Sequence, residues 1–136
     1  MPLMEWTEEM SVGVKAIDDD HKKLIEMLND LHDGILAGKT SAALEGVIEG
    51  LLRYTKYHFA REERLFAETG YSDGPAHTAE HDMLARRVSN LQMRFEAGQS
   101  FQLSMEAMAF LKDWLTGHIM GSDQQYGPHL NAKGIH

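Results

Sequence analysis

The stretch His77-Thr78-Ala79-Glu80-His81-Asp82-Met83-Leu84-Ala85-Arg86-Arg87-Val88-Ser89-Asn90-Leu91-Gln92-Met93-Arg94-Phe95 decides the fold. Its apolar positions Leu84, Val88, Leu91 and Phe95 recur every three or four residues, which lays one stripe along an α-helix. His77 and His81 extend the same stripe toward the helix start. At i and i+4 the two imidazoles point the same way, and a titratable side chain on a buried face is costly unless something satisfies it. Both helix ends are punctuated. Gly70-Tyr71-Ser72-Asp73-Gly74-Pro75 reads as a turn that places Pro75 in the first helical turn, and Gly98 stops the pattern.

The same period holds on either side. The stripe His21, Leu24, Ile25, Leu28, Leu31 and Ile35 follows Ile17-Asp18-Asp19-Asp20, acids suited to a helix cap and first turn, and ends near Gly38. A second stripe starts near Ser41 and carries Leu44, Val47, Ile48, Leu51, Thr55, His58, Glu62 and Leu65 up to Gly70. The last, opened by Ser100 or Ser104, runs through Met108, Leu111, Leu115, His118 and Ile119 and loosens at Gly121. No strand-like alternation competes. Four helices of roughly 17–28 residues joined by short loops specify an all-α, up-down-up-down antiparallel four-helix bundle. One domain over residues 1–136 is expected: an N-terminal arm over 1–15 pinned by Trp6, the bundle over 17–121 and an irregular tail over 126–136. His129 and His136, in that tail, are expected to be solvated.

Antiparallel order brings the polar members of the stripes to one level. His21 and His77-His81 lie near the starts of odd helices, and His58-Glu62 and His118 near the ends of even ones. All therefore fall at the same end of the bundle. Asp123 needs more, because five residues beyond His118 it would be rotated by roughly 140° on an ideal helix. With Gly121 between them, the helix is expected to end or bulge there and turn Asp123 inward. Each signal alone is common on helix surfaces, but four such coincidences at one level point to metal. His32, roughly 16 Å along the axis from His21, is too far to join them.

Composition narrows the chemistry. The chain is 43% hydrophobic, carries a formal net charge of −8 and contains no cysteine. An acidic chain with no basic stripe is expected to bind neither nucleic acid nor anionic membranes. No apolar run approaches the roughly 20 residues that span a bilayer, so no membrane insertion is expected. Glu5, Glu8 and Glu9 stand where a signal peptide would be basic and then apolar. The expected location is cytoplasmic. Without cysteine there is no disulfide, all-thiolate iron–sulfur cluster or cysteine-anchored haem, and His and carboxylate remain as strong ligands. Imidazoles with some carboxylate suit iron, zinc, copper or nickel. Seven donors crowd a tetrahedral zinc site. Two octahedral ions that share an oxygen and two bridging carboxylates, and carry five imidazoles, keep one position open for a small molecule.

From Trp6 to Tyr126 the chain resembles the hemerythrin-like domain family, most of all its single-domain bacterial form. The resemblance rests on His21, His58-Phe59-Ala60-Arg61-Glu62, His77-Thr78-Ala79-Glu80-His81 and His118-Ile119-Met120-Gly121-Ser122-Asp123, with Trp6-Thr7-Glu8-Glu9, Val12-Gly13-Val14-Lys15 and Ile17-Asp18 ahead of them. It implies two oxo- or hydroxo-bridged iron ions per chain. One is held by His77, His81 and His118, the other by His21 and His58, with Glu62 and Asp123 bridging. It further implies dioxygen as a reversible ligand of the second iron, in a dry pocket for which Leu24, Phe59, Trp114, Leu115 and Ile119 are candidates. The expected role is O2 storage, transport or delivery by a monomer that is not an enzyme, with an oxygen-consuming enzyme as a possible recipient. The rivals are an O2 sensor acting in trans and a di-iron enzyme or iron-handling protein acting on peroxide or nitric oxide or donating iron.

Overall fold

A computed structural model describes residues 3–98 and 101–136. Four helices form an up-down-up-down bundle: α1 (Lys15–Leu36), α2 (Thr40–Thr69), α3 (Gly74–Glu96) and α4 (Phe101–Asp113). Apolar stripes cause the packing. Leu24, Leu28, Leu31, Leu44, Leu51, Leu103 and Leu111 have no exposed surface, and burying each such side chain is worth about 1.5–3 kcal/mol relative to leaving it in water. Pro75 follows the first residue of α3 as expected. Gly70 ends α2 in the left-handed region, with φ at +70°, a conformation glycine adopts without strain.

The start of α1 corrects one expectation. The helix begins at Lys15, so Asp18 lies in its first turn as expected, but none of Asp18, Asp19 and Asp20 is a cap. Asp18 instead holds the arm, accepting bonds from the Ser11 hydroxyl (2.5 Å) and the Val12 N–H (2.9 Å). Asp19 pairs with Lys15 on the surface. Farther up, Asn29 brackets Met4 through the Met4 N–H and carbonyl. Lys22 lies 5.1 Å over the Trp6 ring, which packs on the main core.

Beyond α4 the chain departs most from expectation. Ser100 lies outside the described residues, and Ser104 sits inside α4 with its hydroxyl bonded to the Phe101 carbonyl. Of the end or bulge expected at Gly121, the structure shows the bulge. The helix widens into a π-helix over Trp114–Asp123 and then continues as α5 (Gln124–Ala132). The tail from Tyr126 is therefore largely helical rather than irregular. Gly127 and Pro128 read as breakers, but tertiary packing overrides them. Tyr126 and Leu130, both without exposed surface, pack with Val12, Val14, Ile17 and Phe66 in a small second cluster. Gly127 allows close approach: a Cβ there would lie 2.2 Å from the Val12 carbonyl oxygen. His129 is half-buried rather than solvated, with Nε2 2.9 Å from the Thr69 hydroxyl. His136 is exposed.

Candidate metal centre

The small cluster and the main core enclose a polar layer. Along α1 the order is Ile17, His21, Leu24, and along α2 it runs in reverse: Tyr54, His58, Glu62, Phe66. All seven of His21, His58, Glu62, His77, His81, His118 and Asp123 are buried. Their ligand atoms fall into two groups, each with every atom within 4.8 Å of the others: His77, His81, His118 and Asp123 in one, His21, His58 and Glu62 in the other. His32 joins neither and lies half-buried, 3.9 Å from Asp33.

The π-helix is what brings Asp123 in. An α-helix would turn it away from His118, but i to i+5 hydrogen bonding widens the coil so that residues five apart share a face. Asp123 Oδ1 lies 3.0 Å from His118 Nε2 and 2.8 Å from His77 Nε2, while Oδ2 lies 3.1 Å from His21 Nε2. One carboxylate thus reaches both groups. Glu62 does the same from the opposite side: Oε1 contacts His58 Nε2, and Oε2 lies 3.3 Å from His77 Nε2 and 3.9 Å from His81 Nε2.

The fit to a metal pair rests on what these atoms do not do. The Nε2 atoms of all five histidines and all four carboxylate oxygens are buried, yet among the described residues none makes a hydrogen bond of good geometry. They converge on one shared space. Buried polar atoms left unpaired are expensive, and a cluster of them with this donor set suits two cations with nitrogen and oxygen ligands.

Electrostatics without cations shows how protons fill the gap. Burial opposes charge on His58, but Glu62 and Asp20 outweigh it and raise its pKa to about 9. His77 is likewise opposed by burial yet raised to about 9 by Asp123 and Glu62. Burial dominates at His81, pushing it down to about 3 with help from the charges of His77 and His118. Burial and Asp123 push the Glu62 carboxyl up, but His58 and His77 bring it down to about 2. Asp123, also opposed by burial, is held well below the usual carboxylate range by His118, His21 and His77.

An outer ring of carboxylates completes the layer, and the sequence reading missed it. Asp20 Oδ2 accepts from His58 Nδ1 at 2.8 Å and is itself gripped by Arg61 at 2.7 Å. Glu63 lies 3.3 Å from His81 Nδ1, and Glu80 3.4 Å from His118 Nδ1. Such partners orient a ligating ring and raise its basicity. Each stands next to a ligand position in sequence, about 100° around its helix, where it faces a neighbouring helix. Only knowledge of which helices are neighbours reveals the pairing.

The five candidate pocket residues are all buried: Leu24 0%, Phe59 4%, Trp114 2%, Leu115 2% and Ile119 1% exposed. Phe59 stacks on His81 with ring centroids 3.8 Å apart, and Trp114 lies 5.5 Å from Phe59. All five belong to the main apolar core.

Comparison with known proteins agrees with this geometry. The family profile "Hemerythrin HHE cation binding domain" matches residues 12–130. The chain is 38% identical to a bacteriohemerythrin of Methylococcus capsulatus, over 97% of this chain and 100% of that protein. It is 40% identical to one of Pseudomonas aeruginosa, over 93% of this chain and 80% of that one. Among solved structures, a wild-type hemerythrin superimposes with a TM-score of 0.82 at 38% identity, covering 94% of this chain and 98% of the other. A hemerythrin leucine-to-alanine variant gives 0.84 at 37%, covering 96% and 98%. With this fold, this donor set and these matches, the chain belongs to the hemerythrin family.

Proposed function

We propose that the polar layer holds two iron ions and binds dioxygen reversibly. The observation that carries this reading is the convergence of five unpaired imidazole Nε2 atoms and two unpaired carboxylates in a buried layer. His77, His81 and His118 would hold one iron, His21 and His58 the other, with Glu62 and Asp123 spanning both. The donor groups are unequal: four residues in one, three in the other. The half with fewer protein donors is the one left to take a small ligand.

The iron pair, when bound, would supply the two electrons that make dioxygen binding strong and reversible. The protein does the rest. Glu62 and Asp123 hold the two halves at a common distance through their paired oxygens. Asp20, Glu63 and Glu80 fix the rings of His58, His81 and His118 through Nδ1. Leu24, Phe59, Trp114, Leu115 and Ile119 keep water and free protons away, which guards against irreversible oxidation. The chain serves in O2 storage, transport or delivery, to an oxygen-consuming enzyme for example, as a binding protein rather than an enzyme. Among the described residues no helix is long and apolar enough to cross a membrane.

Iron analysis with an optical spectrum tests the proposal: reduce anaerobically, admit O2, then remove it. Two irons per chain and a visible band that comes and goes with O2 are expected. Irreversible oxidation would point to chemistry on peroxide or nitric oxide, or to iron donation. Absence of iron would end the reading.

A further inference from the structure

The Tyr54 hydroxyl is among the buried polar atoms beside the centre that take no part in the arrangement described so far. Tyr54 lies four residues before His58 on α2, hence on the same face one turn deeper in the bundle. Its ring stacks on the His58 imidazole, with centroids 4.5 Å apart and planes 29° from parallel. Trp114 and Phe59 stand edge-on to it at 5.6 and 6.1 Å. Only 7% of the residue is exposed, and its hydroxyl is buried without a hydrogen-bond partner among the described residues. Phe59 and Trp114 belong to the main apolar core, and Tyr54 also borders a pocket lined by Asp20, Lys23, Arg53 and Arg61.

A phenylalanine would pack equally well there without the cost of burying an unpaired hydroxyl. A tyrosine here keeps one O–H donor in a place lined by the His58, Phe59 and Trp114 rings. The ring it stacks on belongs to the group with fewer protein donors. A small molecule taken up at that half would meet this hydroxyl.

We propose that Tyr54 is a specificity-determining residue, whose hydroxyl donates a hydrogen bond to a small electron-rich ligand, dioxygen or an azide-like anion, held at the His21–His58–Glu62 half of the centre. This rests on the reading of the layer as a dioxygen-binding iron pair. The hydrogen bond favours ligands that gather negative charge on binding over those that stay neutral. It also gives the buried hydroxyl the partner it lacks.

Azide is the probe. Wild type and Tyr54→Phe are loaded with iron, oxidised and titrated with azide optically, and the azide stretch is recorded by infrared in H2O and D2O. In wild type the stretch should shift with deuterium. In Tyr54→Phe that shift should vanish and azide affinity should fall roughly threefold to tenfold, the loss of one ordinary hydrogen bond, with iron content unchanged. Equal affinity in the two proteins overturns the proposal, as does a deuterium shift that persists without the hydroxyl and so comes from water or a ring N–H. Should the variant fail to fold, a wild-type stretch insensitive to deuterium overturns it alone. A wild-type chain that takes up iron but shows this insensitivity sinks only the role of Tyr54, whereas one that takes up no iron sinks the reading of the centre.

Discussion

Two parts of one core are equally buried and energetically opposite. Deep in the bundle, Leu28, Leu31, Leu44, Leu51, Leu103 and Leu111 have no exposed surface, and the layer of seven titratable residues is at most 7% exposed. In the deep part, removal from water is itself favourable. In the polar layer each buried group costs free energy until its charge is met. One part of the bundle thus supplies stability from the sequence alone, while the other depends on what it binds. The small cluster of Val12, Val14, Ile17, Phe66, Tyr126 and Leu130 closes the polar layer from below, so the dependent part is clamped between two self-sufficient ones.

The largest effect should come from the deep part. Leu51→Ala is expected to lose about 2–5 kcal/mol through lost transfer energy and the cavity left behind. Denaturant unfolding should show the same loss with and without iron. A loss confined to the iron-loaded form would break the division, because the apolar part would then depend on the metal layer.

Iron removal tests the other side. Free metal at a hundred times its dissociation constant stabilises a site by about 2.7 kcal/mol, so chelation should lower the melting temperature markedly. Hydrogen exchange should quicken around His58–Glu62, His77–His81 and Trp114–Asp123, leaving Leu28–Leu31 and Leu44–Leu51 protected. Because His58 and His77 are held at about 9 without metal, both carry protons at neutral pH, and loading must expel them. Iron affinity should therefore rise with pH up to about 9, with proton release measurable by calorimetry in buffers of different ionisation heat. Uniform loss of protection along the chain would contradict the localised dependence.

The clamp is sharpened by Gly127→Ala. A methyl 2.2 Å from the Val12 carbonyl oxygen must push α5 from the arm, and such overpacking costs about 1–3 kcal/mol. An unchanged melting temperature would show that the helix is not seated as described.

What the sequence made legible follows the same division. Periodicity reads burial on one helix face, so the bundle, its stripes and the level of the ligands could be drawn from residues such as Leu84, Val88, His77 and His81. Asp123 was half legible: spacing showed that a regular helix would misplace it, but not that ten residues would widen into a π-helix. Nothing in Gly127 and Pro128 tells a breaker from a close contact, since that depends on Val12, more than a hundred positions away. Asp20 looked like a cap because its true partner, His58, lies on another helix. Local pattern carries what one helix decides, and fails where two helices decide together.

Asp20 offers a finer test of the outer ring. In Asp20→Asn the side chain keeps an acceptor for His58 Nδ1 but loses the charge, so the ring stays oriented and becomes less basic. Iron affinity should fall roughly tenfold, the lower end for outer partners of metal ligands. Glu80→Gln should do less, because the Glu80 side chain is 47% exposed and water screens it. Equal effects at the two positions would show that burial does not grade the outer ring.

The smallest change concerns the boundary between the two parts. Leu115 is 2% exposed and lies one turn before His118. A cavity cut in a wholly apolar core stays dry, but one that borders polar groups can admit water. Leu115→Ala opens such a space beside the metal layer, so the oxygenated protein should autoxidise severalfold faster, measured well below its melting temperature so that lost stability does not intrude. The same truncation at Leu51, a comparable cavity remote from any ligand, should leave the rate near wild type. If both variants autoxidise alike, the acceleration reflects a loosened bundle and Leu115 is ordinary core. A rise at Leu115 alone marks the line where packing stops supporting the fold and starts keeping the centre dry.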